Sequence, residues 1–185
     1  MTGRTGDATA AAITQAAAHL VARHQDATVG AVAQATGVAR GTIYRYFPTR
    51  QALLTAVLDQ AVLKADHRLT QANLAAVPVT DGLARAVRAL VALGDDFLVL
   101  VRQRLLTGQD IPAFSPVVGL LERGRQGGDL RRDLPLSCQV EAVYALVQAC
   151  LRARELAAAG QEDISTTVLR LFLEGSNPPS TRRPR

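Results

Sequence analysis

No stretch of this chain alternates apolar and polar residues as a half-buried strand requires, and its β-branched and aromatic residues are not clustered into strand-like runs. Apolar residues instead recur three and four positions apart, which is the repeat of a helix with one buried face. The chain is therefore read as all-α, with about nine helices punctuated by glycine, proline and capping residues. At 185 residues and 48% hydrophobic composition it has enough apolar side chain to bury a core. No apolar run approaches the roughly 18 residues of a membrane span. The first residues, Met1 to Asp7, lead into no signal-peptide core. The expectation is a cytoplasmic protein without a membrane partner.

Helical spacing of Ile13, Ala17, Leu20, Val21 and His24 predicts a first helix from Asp7, as N-cap, to about Arg23. Thr28 caps a short second helix that stops at Thr36-Gly37, where glycine lets the chain turn sharply. A third short helix runs from Ala39 to about Tyr46. Pro48 then breaks the chain and Thr49 caps a long helix over 49–74. Further helices are predicted from Thr80 or Asp81 to Leu93, from Asp95 onward with Phe97, Leu98, Leu100, Val101 and Leu105 buried, and from Val117 to Gln126. The last two are predicted from Ser137 to about Ala159 and from Ser165 to Leu173. This divides the chain into a helix-turn-helix domain at 1–48, a ligand-binding and dimerisation domain at 49–175, and a disordered basic tail at 176–185.

The segment Thr28 to Tyr46 has the form of a helix-turn-helix, whose second helix enters the major groove, although an ordinary helical hairpin has the same outline. Charge separates the two readings. No acidic residue occurs from Ala27 to Leu58, while Arg40, Arg45, Arg50, Thr28, Thr42, Tyr44 and Tyr46 all do, a composition suited to facing phosphate. A net charge of +5 agrees with a polyanionic partner.

The run Thr28-Val-Gly-Ala-Val-Ala-Gln-Ala-Thr-Gly-Val-Ala-Arg-Gly-Thr-Ile-Tyr-Arg-Tyr-Phe-Pro-Thr-Arg-Gln-Ala-Leu-Leu54 resembles the signature of the TetR family, and Gly128-Asp-Leu-Arg-Arg-Asp133 is similar to a segment in many members. The resemblance implies a three-helix DNA-binding domain, a helical domain that holds a small ligand, and a homodimer formed by the last two helices. The implied function is a transcriptional regulator, a repressor released from a palindromic operator on double-stranded DNA by that ligand. By position, Arg40, Gly41 and Tyr44 approach base edges, and Thr28, Thr42, Arg45, Tyr46 and Arg50 contact phosphates. The chemistry suits these roles. Arginine donates two parallel bonds to guanine, and Gly41 lets the backbone come close. Three departures stand out: Ala39 replaces a frequent serine cap, Arg50 replaces a frequent lysine, and the usual glycine and aromatic after the first helix are missing.

No catalytic constellation and no metal cluster is legible, and no cofactor is expected. His19 and His24 lie five positions apart, which turns them away from a shared metal, and His67 is remote in sequence. Cys138 and Cys150 are read as reduced core residues. Asp95 and Asp96 are read as satisfying the positive end of the helix they open. An effector pocket is expected among the helices between about Ala61 and Gln126, lined by leucine, valine and alanine and therefore suited to an apolar or amphipathic molecule. For the dimer, the stripe Val140, Val143, Tyr144, Val147 and Leu151, with Val168, Leu169 and Phe172 on the last helix, is the candidate interface.

Overall fold

The computed structural model describes residues 3–23, 27–157 and 161–176. Among them are nine α-helices and no strand: α1 Gly3–Ala22, α2 Val29–Thr36, α3 Arg40–Tyr46, α4 Arg50–Ala72, α5 Val79–Leu93, α6 Asp95–Thr107, α7 Ser115–Gly127, α8 Leu136–Ala157 and α9 Gln161–Ser176. Single 3-10 turns at Leu74–Ala76 and Pro112–Phe114 precede α5 and α7. The helices gather into two compact units, one made of Met1–Lys64 with Asp95–Gln109 and the other of Ala65–Gly94 with Asp110–Arg185.

In the first unit α1 packs against α2, α3 and α6. The stripe foreseen on α1 supplies Ile13 and Ala17, which are fully buried with Val32, Ile43, Leu53, Ala61, Phe97 and Leu100. Polar ties fix α6 in this unit. Arg102 Nη1 donates to Val21 O at 2.9 Å, taking up one of the carbonyls that the end of α1 leaves without a helical partner. His19 Nδ1 lies 2.8 Å from Asp95 Oδ2, and Lys64 Nζ donates to Asp96 Oδ2 at 2.7 Å. Asp95 and Asp96 do occupy the first turn of α6, where the helix end favours carboxylates. Each also anchors a neighbouring helix.

The second unit is built around α5, whose one-sided pattern buries Leu83, Ala86, Val87 and Leu90 against α7, α8 and α9. Contacts here are close. A Cβ on Gly82 would stand 2.6 Å from Leu120 Cδ1, and one on Gly124 would stand 2.8 Å from Val79 Cγ1. Arg123 closes the 3-10 turn before α5 by donating to the carbonyls of Leu74, Ala75 and Val77 at 2.9, 3.2 and 2.8 Å. Beyond α7, Arg131 binds both carboxylate oxygens of Asp133 and holds that carboxyl below its ordinary range.

Several helix starts differ from the sequence reading. α1 begins at Gly3, so Asp7 lies within it and does not cap it. α5 begins at Val79 with Pro78 at the cap position, α7 begins at Ser115 with Pro116 in its first turn, and α8 begins at Leu136. The Pro135 carbonyl accepts from Cys138 and Gln139. Thr80, Asp81 and Ser137 are therefore inside first turns. For α5, α7 and α8 the reason is that proline lacks only an N–H, which the first turn of a helix does not use, so a helix starts at a proline and need not wait for a later cap. α9 begins at Gln161, ahead of Ser165, and Ser176, assigned to the tail, is its buried last residue. The remainder of the tail, 177–185, and His24 lie outside the described residues. Leu105 is 69% exposed, off the buried stripe of α6. Cys138 is exposed on the first turn of α8 and is no core residue, and Cys150 is half-buried, its thiol pushed up by burial.

Candidate nucleic-acid interface

Local chemistry sets the α2–turn–α3 geometry. Thr28 has extended backbone and its Oγ1 accepts from Ala31 N at 3.1 Å, capping α2. At the other end Gly37 adopts φ 69° and ψ 8°, a left-handed conformation that costs glycine nothing. Thr36 braces the same turn, donating to Val32 O at 2.8 Å and accepting from Val38 N at 3.3 Å. Ala39 follows with extended backbone and no side-chain cap, so its carbonyl alone opens α3, taking the N–H groups of Thr42 and Ile43. Thr49 Oγ1 accepts from Ala52 N at 3.0 Å and starts α4.

α3 is anchored by Ile43, which is fully buried. Phe47, just past the end of α3, is half-buried. At about 100° per residue Arg40, Tyr44, Gly41 and Arg45 fall within an arc of roughly 140°, turned away from Ile43. All four are exposed, Tyr44 to 50%. Thr42 and Tyr46 flank this arc half-buried, while Thr28 and Arg50 are exposed at the starts of α2 and α4. The Arg45 guanidinium carbon lies 5.4 Å from the centre of the Tyr46 ring, a cation–π distance. Arg40 lies back over α2: a Cβ on Gly30 would stand 2.9 Å from its Nη2. Among the described residues, and apart from its chain neighbours and the backbone of α3 itself, nothing comes within 4 Å of a Cβ placed on Gly41. A positively charged face, with no carboxylate in its own 27–58 sequence, is the chemistry of a phosphate-binding surface.

The family of bacterial regulatory proteins, tetR family, matches residues 13–57, from the buried face of α1 through α2 and α3 into α4. That segment of the chain is thus similar to the DNA-binding region of tetR-family regulators. The HTH-type transcriptional repressor LfrR of Mycolicibacterium smegmatis is 28% identical to it over 141 residues, covering 75% of each chain. The crystal structure of the TetR-like regulator LfrR from Mycobacterium smegmatis shares its fold, with a TM-score of 0.71 and 23% identity over 91% of this chain and 96% of that one. LfrR in complex with proflavine gives a TM-score of 0.68 and 25% identity over 89% and 93%. The chain thus shares with these DNA-binding regulators an N-terminal helix-turn-helix and a C-terminal helical domain.

Residues singled out elsewhere take other places. Val140, Val143, Tyr144, Val147, Leu151, Val168 and Phe172, the candidate dimer stripe, are buried inside the second unit of the single chain, and Leu169 is half-buried. The exposed faces of the same helices carry Ala142, Ala145 and Ala149 on α8 and Leu171 on α9. His19 pairs with Asp95, and His67 Nε2 lies 3.1 Å from Gln71 Nε2. Among the described residues no group of three or more His, Cys, Asp or Glu side chains could hold a metal, and no helix is long and apolar enough to cross a membrane. The ties of α6 to Lys64, His19 and Val21 were not legible in the sequence. Their partners are 32, 76 and 81 positions apart, beyond any helical spacing rule.

Proposed function

We propose that this regulator is a cytoplasmic homodimeric repressor that binds a nearly palindromic operator and leaves it when a small apolar or amphipathic molecule binds. Arg40, Gly41 and Tyr44 meet base edges in each half-site, and Thr28, Thr42, Arg45, Tyr46 and Arg50 meet phosphates. The observation that carries this reading is the exposed arc of α3 opposite buried Ile43, with Gly41 in the middle of it. Neither packing nor a positive φ accounts for a glycine there, since its Cβ would enter open space, whereas close approach to a duplex does. Two recognition helices about 34 Å apart would read successive major grooves. A ligand that favours a different spacing would oppose DNA by linkage. Ligand release in this chain is supported by LfrR, which is a repressor by name and has a proflavine complex.

The second chain is proposed to dock on the faces of α8 and α9 left exposed, where Ala142, Ala145, Ala149 and Leu171 offer small and apolar contacts. The test is selection of duplexes from a random pool with purified protein at near-physiological salt. Enrichment of a two-fold symmetric site is the expected result. No enrichment by folded, dimeric protein would overturn it and favour a ligand-binding dimer whose DNA-binding half is vestigial.

A further inference from the structure

Gly30 is the second residue of α2, and Arg40 opens α3 beyond the Gly37 turn. The two meet in space. A Cβ on Gly30 would stand 2.9 Å from Arg40 Nη2, 3.4 Å from its Cζ and 3.7 Å from its Nε, so the guanidinium rests over the face of α2 that the missing side chain leaves open. Backbone conformation does not ask for glycine here, since among the described residues the glycines with positive φ are Gly37, Gly94, Gly108 and Gly128. A glycine within a helix also costs stability relative to alanine. What Gly30 provides is room for Arg40.

We infer that Gly30 is a positioning residue for sequence readout: it seats the Arg40 guanidinium against α2, and that seat sets which base edge the arginine meets. The inference rests on the proposal that Arg40 reads a base. An arginine that donates two parallel bonds to guanine must present its planar fork in one orientation, and it gives up rotamer freedom to do so. A guanidinium already laid on α2 has given up part of that freedom before DNA arrives. An alanine methyl at position 30 would occupy the seat. Arg40 is exposed and the atoms in the way are the end of its flexible side chain, so the arginine shifts and the helices stay. The charge is unchanged, and with it the attraction to phosphates of any sequence.

Gly30→Ala, Arg40→Ala and the double variant are titrated with three kinds of duplex: the selected operator, the operator altered at the half-site position that responds to Arg40→Ala, and random sequence. Gly30→Ala should raise the urea midpoint and keep random-duplex affinity and its salt slope within about twofold of the parent. Discrimination at the position that responds to Arg40→Ala should fall about tenfold. Added to Arg40→Ala, the alanine at position 30 should change nothing further, because its effect runs through that side chain. Full discrimination in Gly30→Ala overturns the inference. So does an equal loss of affinity for every duplex that persists in the Arg40→Ala background, which would assign Gly30 to direct approach of α2 to the DNA backbone. If no operator is selected, or if Arg40→Ala keeps every base preference of the parent, base reading by Arg40 and the specificity role of Gly30 fall together. The seat itself is decided without DNA, by the heteronuclear {1H}-15N NOE of the Arg40 Nε–H group, which is identified by its loss in Arg40→Ala. A group ordered in the parent and mobile in Gly30→Ala is expected, and equal mobility in the two overturns the seating.

Discussion

At the scale of single residues, the exposed residues of α3 and of the start of α4 divide into groups that would read sequence and groups that would set affinity. Arg40→Ala should relax sequence preference at one position per half-site, whereas Arg50→Ala should weaken specific and random duplexes alike and lower the salt slope by about one. Titrations of selected and random duplex at several salt concentrations check both, and equal behaviour of the two variants would remove the assignment. Gly41 allows a sharper separation of folding from binding. With helical backbone and open space at its Cβ, Gly41→Ala should raise stability by roughly 0.5 kcal/mol, yet weaken operator binding about tenfold or more because the added methyl stands between α3 and the bases. Chemical denaturation beside a binding titration reads the two effects, and loss of stability together with binding would point to an internal role for the glycine.

At the scale of elements, stability is set by how each helix end is closed. α2 has its Thr28 cap, but α3 begins at Ala39 with none. Ala39 already has the extended backbone of a cap residue, so Ala39→Ser should stabilise the protein by about 1 kcal/mol and Thr28→Ala should cost about as much. Urea midpoints at unchanged m-value are the measurement. In the second unit the same question is answered by a side chain from elsewhere, since Arg123 of α7 satisfies three carbonyls of the turn before α5. Arg123→Met keeps much of the stem and removes those donors, with an expected cost of about 2 kcal/mol. Gly124, its neighbour, faces Val79 and Leu130 at distances too short for a Cβ, and Gly124→Val should cost a further 2 kcal/mol or so by over-packing. Insensitivity of the thermal midpoint to both changes would mean that the α5–α7 contact yields easily.

At the scale of the whole molecule, the proposed operator binding requires a second copy. The apolar stripe of α8 and α9 is taken up by the chain's own core, so an interface on these helices must use their outer faces. Ala145→Glu and Leu171→Glu are exposed in the single chain and should leave its folding intact, while shifting the mass in sedimentation equilibrium toward the monomer and lowering operator affinity about 100-fold through loss of one half-site. An unchanged dimer in both variants would place the interface on another surface.

Much of this was legible in the sequence, because it depends on local rules. Helical spacing gave the all-α class, Thr28, Gly37 and Thr49 marked their own caps and turn, and the motif over 28–54 pointed to the helix-turn-helix segment that the family model matches. Local rules also explain the misplaced starts of α5, α7 and α8, since a proline reads equally well as a break or as a first turn. What only the tertiary structure decided is which apolar faces are spent inside the chain and which distant residues meet. A stripe such as Val140 to Leu151 looks the same whether a core or a partner covers it, and the amino-acid pattern records only that it must be covered. The ties of α6 to His19, Lys64 and Val21 join residues far apart in sequence, so no periodicity along the chain could announce them.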